Sequence, residues 1–276
     1  MQGMNFMNKK ITWDIIKTVA LRALLVIVAV TAVGGAVIVH NSFKSTADKP
    51  SAQVTEKAEE KTQAKESSTA APQSKYEYSY AGFNPQVIKI TNDLSKIILN
   101  KNYRLPDNYE PSLSEAVKGS GVMLDNRVSP YYQAMYDAAK EDGVILTPVA
   151  GYRTVEQQKK NFDLRVQENM KNGMDKNKAT VEASNKLLLP GTSEHNAGLA
   201  VDICSRSESF ENTEAFEWLT ENAAKYGFIL RYPKDEEKQK ITGVTYEPWH
   251  FRFVGIKAAK KITDKGITLE EYLKLD

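Results

Sequence analysis

Between residues 129 and 173 apolar side chains recur every three or four positions, whereas several short runs from 144 to 253 alternate apolar and polar residues, so helices and strands are interleaved. Ser129-Pro130 reads as the N-cap and first residue of a helix carried by Tyr131, Met135 and Ala138 and stopped by Gly143. Thr154-Val-Glu-Gln157 is a capping box. Val155, Phe162, Val166 and Met170 follow it at helical spacing up to Gly173. Phe216, Leu219 and Ala223 mark a further helix ending at Gly227, and Thr268-Leu-Glu-Glu271 opens a C-terminal one. Val144–Val149, Leu199–Ile203, Phe228–Arg231 and Trp249–Phe253 read as short strands. This order predicts an α+β domain with a small, mostly antiparallel sheet flanked by helices.

The folding pattern does not begin at residue 1. From Val19 to Val39 the chain is apolar or small apart from Arg22, a stretch of 21 residues where a bilayer needs about 20. Lys9, Lys10 and Lys17 precede it, so the positive-inside bias keeps residues 1–18 in the cytoplasm and sends the rest across. The expectation is a single-pass signal anchor at 19–39, with cleavage and secretion as the alternative. Residues 40–76 are rich in Ser, Thr, Ala, Gln, Lys and Glu and cannot bury enough apolar surface to order. As a flexible coil such a linker spans roughly 30–36 Å, which holds a domain at 77–276 away from the membrane. The net charge of +2, from 37 basic and 35 acidic residues, gives no excess that would favour nucleic acid. The single cysteine, Cys204, cannot form an intramolecular disulfide and is expected to be a small buried residue at the end of the Asp202 strand.

Two of the three histidines lie in Gly-Thr-Ser193-Glu-His195-Asn-Ala-Gly198-Leu-Ala-Val-Asp202 and Tyr-Glu247-Pro-Trp-His250-Phe-Arg252. With a period of two, Asp202 and Ala200 share the strand face opposite Leu199, Val201 and Ile203, and a turn at Gly198 brings His195 back over it. In the second segment Trp249, Phe251 and Phe253 pack on one side while His250 is presented on the other. Two imidazoles and one carboxylate suit Zn²⁺ and leave a fourth position open, the arrangement of a hydrolytic site. Pro248 biases Glu247 toward an extended backbone, making it either the general base beside the ion or a surface partner of Arg252. Glu194, adjacent to His195, is expected to point away and receives no role. Arg153, at the junction of a strand and the Thr154-capped helix, offers a planar fork that pairs a carboxylate through two hydrogen bonds or forms a structural ion pair.

The pattern Ser193-Glu-His195-x-x-Gly198-x-Ala200-x-Asp202, followed by Thr242-Gly-x-x-Tyr-Glu247-Pro-Trp-His250-Phe-Arg252 and preceded by Gly151-Tyr-Arg153-Thr, resembles the VanY-type D-alanyl-D-alanine carboxypeptidases over residues 83–265. The resemblance implies the small α+β fold shared with the hedgehog signalling domain, with His195, Asp202 and His250 as zinc ligands and Glu247 as catalytic base. It also implies that Arg153, with Gln158 and Ser193, binds the substrate's free C-terminal carboxylate or polarises the scissile carbonyl. Ser193 retains its other reading as a turn or capping residue. The function so implied is removal of the C-terminal D-alanine from peptidoglycan stem peptides outside the cytoplasm, by a monomeric catalytic domain held to the membrane. Two rivals stand beside it: an L,D-carboxypeptidase acting on the tetrapeptide stem, and a non-catalytic wall-binding module that keeps zinc for structure.

Overall fold

The computed structural model describes residues 82–274. The expected anchor at 19–39 and linker at 40–76 lie outside the described residues, among which no helix is long and apolar enough to cross a membrane. The framework is a four-stranded antiparallel sheet of β5 (Pro148–Ala150), β6 (Ala200–Ile203), β7 (Phe228–Leu230) and β8 (His250–Phe253), in the order β5-β6-β8-β7. Two smaller pairs precede it, the parallel β1 (Gln86–Val87) with β2 (Tyr103–Arg104) and the antiparallel β3 (Leu113–Glu115) with β4 (Met123–Asp125).

Alternation along β6 and β8 gives the sheet two chemically different faces. Leu199, Val201, Ile203, Phe251 and Phe253 join Phe228 in the main core, against Tyr132, Met135 and Ala139 of helix α1 (Ser129–Glu141) and Leu219 of α4 (Glu214–Asn222). Fully burying each such large apolar side chain is worth about 1.5–3 kcal/mol, so this face anchors the sheet. The opposite face carries Asp202, His250 and Arg252. Its polar side chains are nonetheless buried, Arg252 beneath the carbonyls of Leu94 and Ile97 and the other two beneath the 190s turn. On one flank α2 (Val155–Lys171) packs Phe162 and Val166 against Ala179 and Ala183 of α3 (Lys176–Ser184). On the other, α6 (Ile256–Lys265) and the terminal α7 (Leu269–Lys274) enclose Ile229. The short α5 (Glu236–Thr242) links β7 to the Glu247 turn.

The capping boxes form as expected. Thr154 Oγ1 accepts from Gln157 N at 3.1 Å while the Gln157 side chain accepts from Thr154 N at 3.0 Å, and Thr268 and Glu271 exchange the same pair of bonds. Three expectations need correction. Ser129 is inside α1 and Val128 is its N-cap, because the Ser129 hydroxyl is engaged with Ser114 and with the Asp125 carbonyl. The expected Val144–Val149 strand starts late, at Pro148, and runs to Ala150, since Val144 N closes the end of α1 on Ala139 O at 2.8 Å. Cys204 follows β6 with a left-handed φ of 61° and is half-buried, its thiol donating to Ile145 O at 3.3 Å.

Candidate metal centre and active-site cleft

Sheet register places the first two candidate ligands. Asp202 on β6 is directly opposite His250 on β8, so their side chains rise on the same face. The third arrives on a turn, Glu194–Ala197, whose N-cap Ser193 accepts from His195 N at 3.3 Å and which ends at Gly198 with φ 68°. A Cβ at Gly198 would lie 2.7 Å from Asp125 N, so glycine is required both for the left-handed backbone and for the close approach to β4. The turn is clamped to the Gly151-Tyr-Arg153 loop by Arg153 N donating to His195 O at 3.0 Å and Asn196 Nδ2 to Arg153 O at 2.8 Å.

The donor geometry fits a divalent ion. Donors on a tetrahedral ion with bonds of about 2.0–2.1 Å sit roughly 3.3 Å apart; Asp202 Oδ1 is 3.2 Å from His195 Nε2 and 3.3 Å from His250 Nδ1. Among the described residues these three form the group whose donor atoms all lie within 4.8 Å of one another. Asp202 Oδ1 is buried without a hydrogen-bond partner, a costly state for a carboxylate oxygen unless a cation completes it. Each imidazole uses its far nitrogen elsewhere: His195 Nδ1 donates to Gly151 O at 2.7 Å and His250 Nε2 to Glu194 Oε2 at 3.1 Å. Both near nitrogens thereby face Asp202, with outer partners placed as they are around metal-binding histidines. Burial pushes the His195 pKa below its ordinary value against the pull of Asp202, which favours the neutral ligand form.

Glu247 reaches the same point by a turn. Instead of the extended strand expected from Trp249, residues 247–250 form a β-turn closed by His250 N on Glu247 O at 3.2 Å, with Pro248 at its second position. The turn folds Glu247 back over His250, Oε2 lying 3.7 Å from Nδ1. Burial raises the Glu247 pKa to about 7, opposed by His250 and Arg153, a value matched to a group that takes up and releases protons near neutrality. Trp249 packs against the main core as expected, but is only half-buried and also lines the cleft.

Arg153, Ser193, His195, Asp202, Glu247 and His250 line one cavity of about 870 Å³. Arg153 Nη1 donates to Gln158 Oε1 at 2.6 Å. Gln158 is fully buried and lies outside that lining, its amide also engaged with Leu188 O. In the structure its direct contact with the cleft residues is through Arg153. Glu194 is the larger departure: far from pointing away, it is fully buried between His250, Arg231 and Arg252. Burial alone would raise its pKa, but the two guanidiniums hold it well below the usual carboxylate range. Its strand-crossing partners lie 37 to 58 positions away, which is why local pattern gives no sign of it.

Comparison with known proteins is consistent along the same stretch. The VanY family model, described as D-alanyl-D-alanine carboxypeptidase, matches residues 121–256. A D-alanyl-D-alanine carboxypeptidase of Enterococcus faecalis is 43% identical over 182 residues, spanning 66% of this chain and 66% of that protein. YodJ of Bacillus subtilis, a putative carboxypeptidase by name, is 38% identical over 270 residues, spanning 89% and 93%. Among solved structures, VanYB in complex with D-alanine-D-alanine has a TM-score of 0.59 at 42% identity, covering 67% of this chain and 98% of that one. A point mutant of the vancomycin-resistance D,D-pentapeptidase VanY, in complex with Zn(II), gives 0.57 at 43%, covering 65% and 99%. The LD-carboxypeptidase LdcB gives 0.58 at 38%, covering 69% and 90%.

Proposed function

Since the chain belongs to the VanY family of D-alanyl-D-alanine carboxypeptidases, we propose that it is a zinc-dependent D,D-carboxypeptidase that removes the C-terminal D-alanine of peptidoglycan stem peptides. The observation that carries this reading is the convergence of Asp202 Oδ1 and two imidazole nitrogens at metal-ligand spacing, with Glu247 beside them. His195, Asp202 and His250 would hold the ion, which supplies Lewis acidity to a water and to the scissile carbonyl at its open position. Glu247 accepts the proton of the attacking water and returns it to the leaving amine. Arg153, braced by Gln158, offers its remaining guanidinium N–H groups to the terminal carboxylate and so sets the peptide's C-terminal end in register with the water. The apolar run at 19–39 and the polar stretch at 40–76 support placing this domain on the outer side of the cell membrane, near the wall.

The LD-carboxypeptidase LdcB among the similar structures favours one second reading, hydrolysis of the L,D bond of a tetrapeptide. Both bonds leave a D-residue with a free carboxylate, so Arg153 serves either. The test is mass spectrometry of pentapeptide and tetrapeptide stems incubated with purified full-length protein. We expect D-alanine release from the pentapeptide, lost on chelation and restored by zinc, and reduced about 10²–10⁴-fold by Glu247→Gln at unchanged zinc content. Release from the tetrapeptide alone would establish the L,D reading. No release from either by folded, zinc-loaded protein would refute both.

A further inference from the structure

Behind His250, on the side away from the cleft, lies a closed set of buried charges. Glu194 Oε2 accepts from His250 Nε2 at 3.1 Å, while its Oε1 takes Arg231 Nε at 2.7 Å and Arg252 Nη1 at 2.8 Å. The rest of the Arg231 fork grips Glu270 of α7 through two bonds of 2.9 and 2.6 Å, and Asn100 donates to the same carboxylate at 3.1 Å. Arg252 spends its other nitrogens on the carbonyls of Phe253, Leu94 and Ile97. Two cations and two anions balance, and Glu194, Arg231 and Arg252 are at most 1% exposed. Buried ion networks add little net stability relative to apolar packing. What this one does have is a carboxylate oxygen aimed at the outer nitrogen of a candidate ligand.

We propose that Glu194 is a positioning residue of the metal centre: locked by Arg231 and Arg252, it holds the proton of His250 on Nε2, leaving Nδ1 free for the ion, and Glu270 of the terminal helix completes its charge balance. The inference rests on the zinc-peptidase reading above. Without Glu194 as acceptor, the ring loses the bond that fixes its outer edge, and Nδ1, 3.3 Å from Asp202 Oδ1, is no longer held toward the ion. The last helix, distant in sequence, thus belongs to the scaffold of the site.

The experiment compares full-length wild type, Glu194→Gln and Glu270→Gln by competition for zinc against a chromogenic chelator, with circular dichroism to confirm folding and the cobalt(II) absorption spectrum to report ligand geometry. Glu194→Gln can keep a carbonyl oxygen for both arginines but turns an amide NH2 toward His250 Nε2 in place of the acceptor, so zinc affinity should fall about 10–100-fold with an altered cobalt spectrum; Glu270→Gln should lose less than Glu194→Gln. A purely structural role would lower the melting temperature and leave the affinity of the folded protein within about twofold of wild type, against the larger loss expected of an outer partner, and that result would overturn the proposal. Nitrogen-15 spectra of zinc-loaded wild type decide the matter even where Glu194→Gln does not fold: His250 must show a metal-shifted Nδ1 and a protonated Nε2, and the reverse pattern overturns the proposal. Wild type that takes up no zinc would instead sink the zinc reading at the first titration, before any variant is compared.

Discussion

Gly151→Ala places a single methyl group where it strikes the metal centre's support without touching a candidate ligand. A Cβ there would sit 2.2 Å from Met123 O and 2.9 Å from Val122 Cγ1, both inside the 3.0 Å limit that real Cβ contacts respect, and 3.1 Å from Leu124 Cδ2. The nearest obstacle is backbone, already held by Tyr152 N at 2.6 Å, so no side chain can swing away. Relief requires β4 and the Gly151 segment to separate by at least about 0.8 Å. Gly151 O is also the acceptor that fixes His195 Nδ1, at 2.7 Å, and a displacement of that size stretches the bond to the edge of hydrogen-bonding range. Overpacking costs about 1–3 kcal/mol, and a buried donor left unmet costs about 1–3 kcal/mol more. At about 2–4 °C per kcal/mol for a domain of this size, the melting temperature should drop by roughly 4–24 °C. Zinc affinity should fall about 10–100-fold, as for loss of other outer partners of metal ligands. Thermal melts with and without zinc, together with chelator competition, measure both. Gly119→Ala is the control: it meets no atom within 4 Å and only its φ of +81° is strained, so stability should dip by about 1–2 kcal/mol with zinc affinity intact. A Gly151→Ala protein that melts within about 2 °C of wild type and binds zinc normally would refute the reasoning.

Zinc affinity should rise with pH. Burial pulls the His250 pKa down, but the carboxylates of Asp202 and Glu194 beside its ring outweigh it and lift the ion-free value to about 9. The protonated imidazole therefore stabilises the ion-free fold fully below pH 6.5, and that contribution disappears as pH climbs through 9. Coordination must expel this proton, so affinity should fall by up to about tenfold per pH unit below 9; a flat titration between about pH 6 and 9 would contradict it. Arg153→Lys keeps the charge but removes both the fork and the geometry of the Gln158 contact. A loss of about 1.5–3 kcal/mol of charged hydrogen bonding should lower kcat/KM for stem peptide at least tenfold with zinc content unchanged, and wild-type kinetics would remove Arg153 from substrate recognition.

The candidate ligands are legible in the sequence because their chemistry and the strand period agree. Asp202 alternates with Val201 and Ile203, His250 with Phe251, and two antiparallel strands in register bring the polar members together on one face. The capping boxes are legible for a similar reason, since Thr154 and Thr268 satisfy backbone donors within three residues of themselves. Helix α3 leaves no such trace because its buried residues are Ala179, Thr180, Ala183 and Ser184, too small and polar to draw an apolar stripe. The Glu247 turn is masked because Trp249 continues the alternation of β8 on paper while its backbone turns the corner.

Glu194 is hidden for a deeper reason. A strict extended reading sends adjacent side chains to opposite sides, so a residue next to His195 is assigned to the surface. The 190s segment is a tight 3-10 turn, in which neighbours diverge by about a third of a rotation instead of a half, and both His195 and Glu194 enter the same polar layer. Even with the turn known, the carboxylate's value depends on Arg231 and Arg252, which reach it from neighbouring strands, and on Glu270, which reaches Arg231 from the last helix. Each of those residues read alone is a surface charge on a short element. Only the pairing of β7 with β8, which sets Ile229 opposite Arg252 and draws Arg231 N onto His250 O at 3.2 Å, makes them neighbours. Identifying ligands needs residue type and period; identifying what orients the ligands needs the sheet's register.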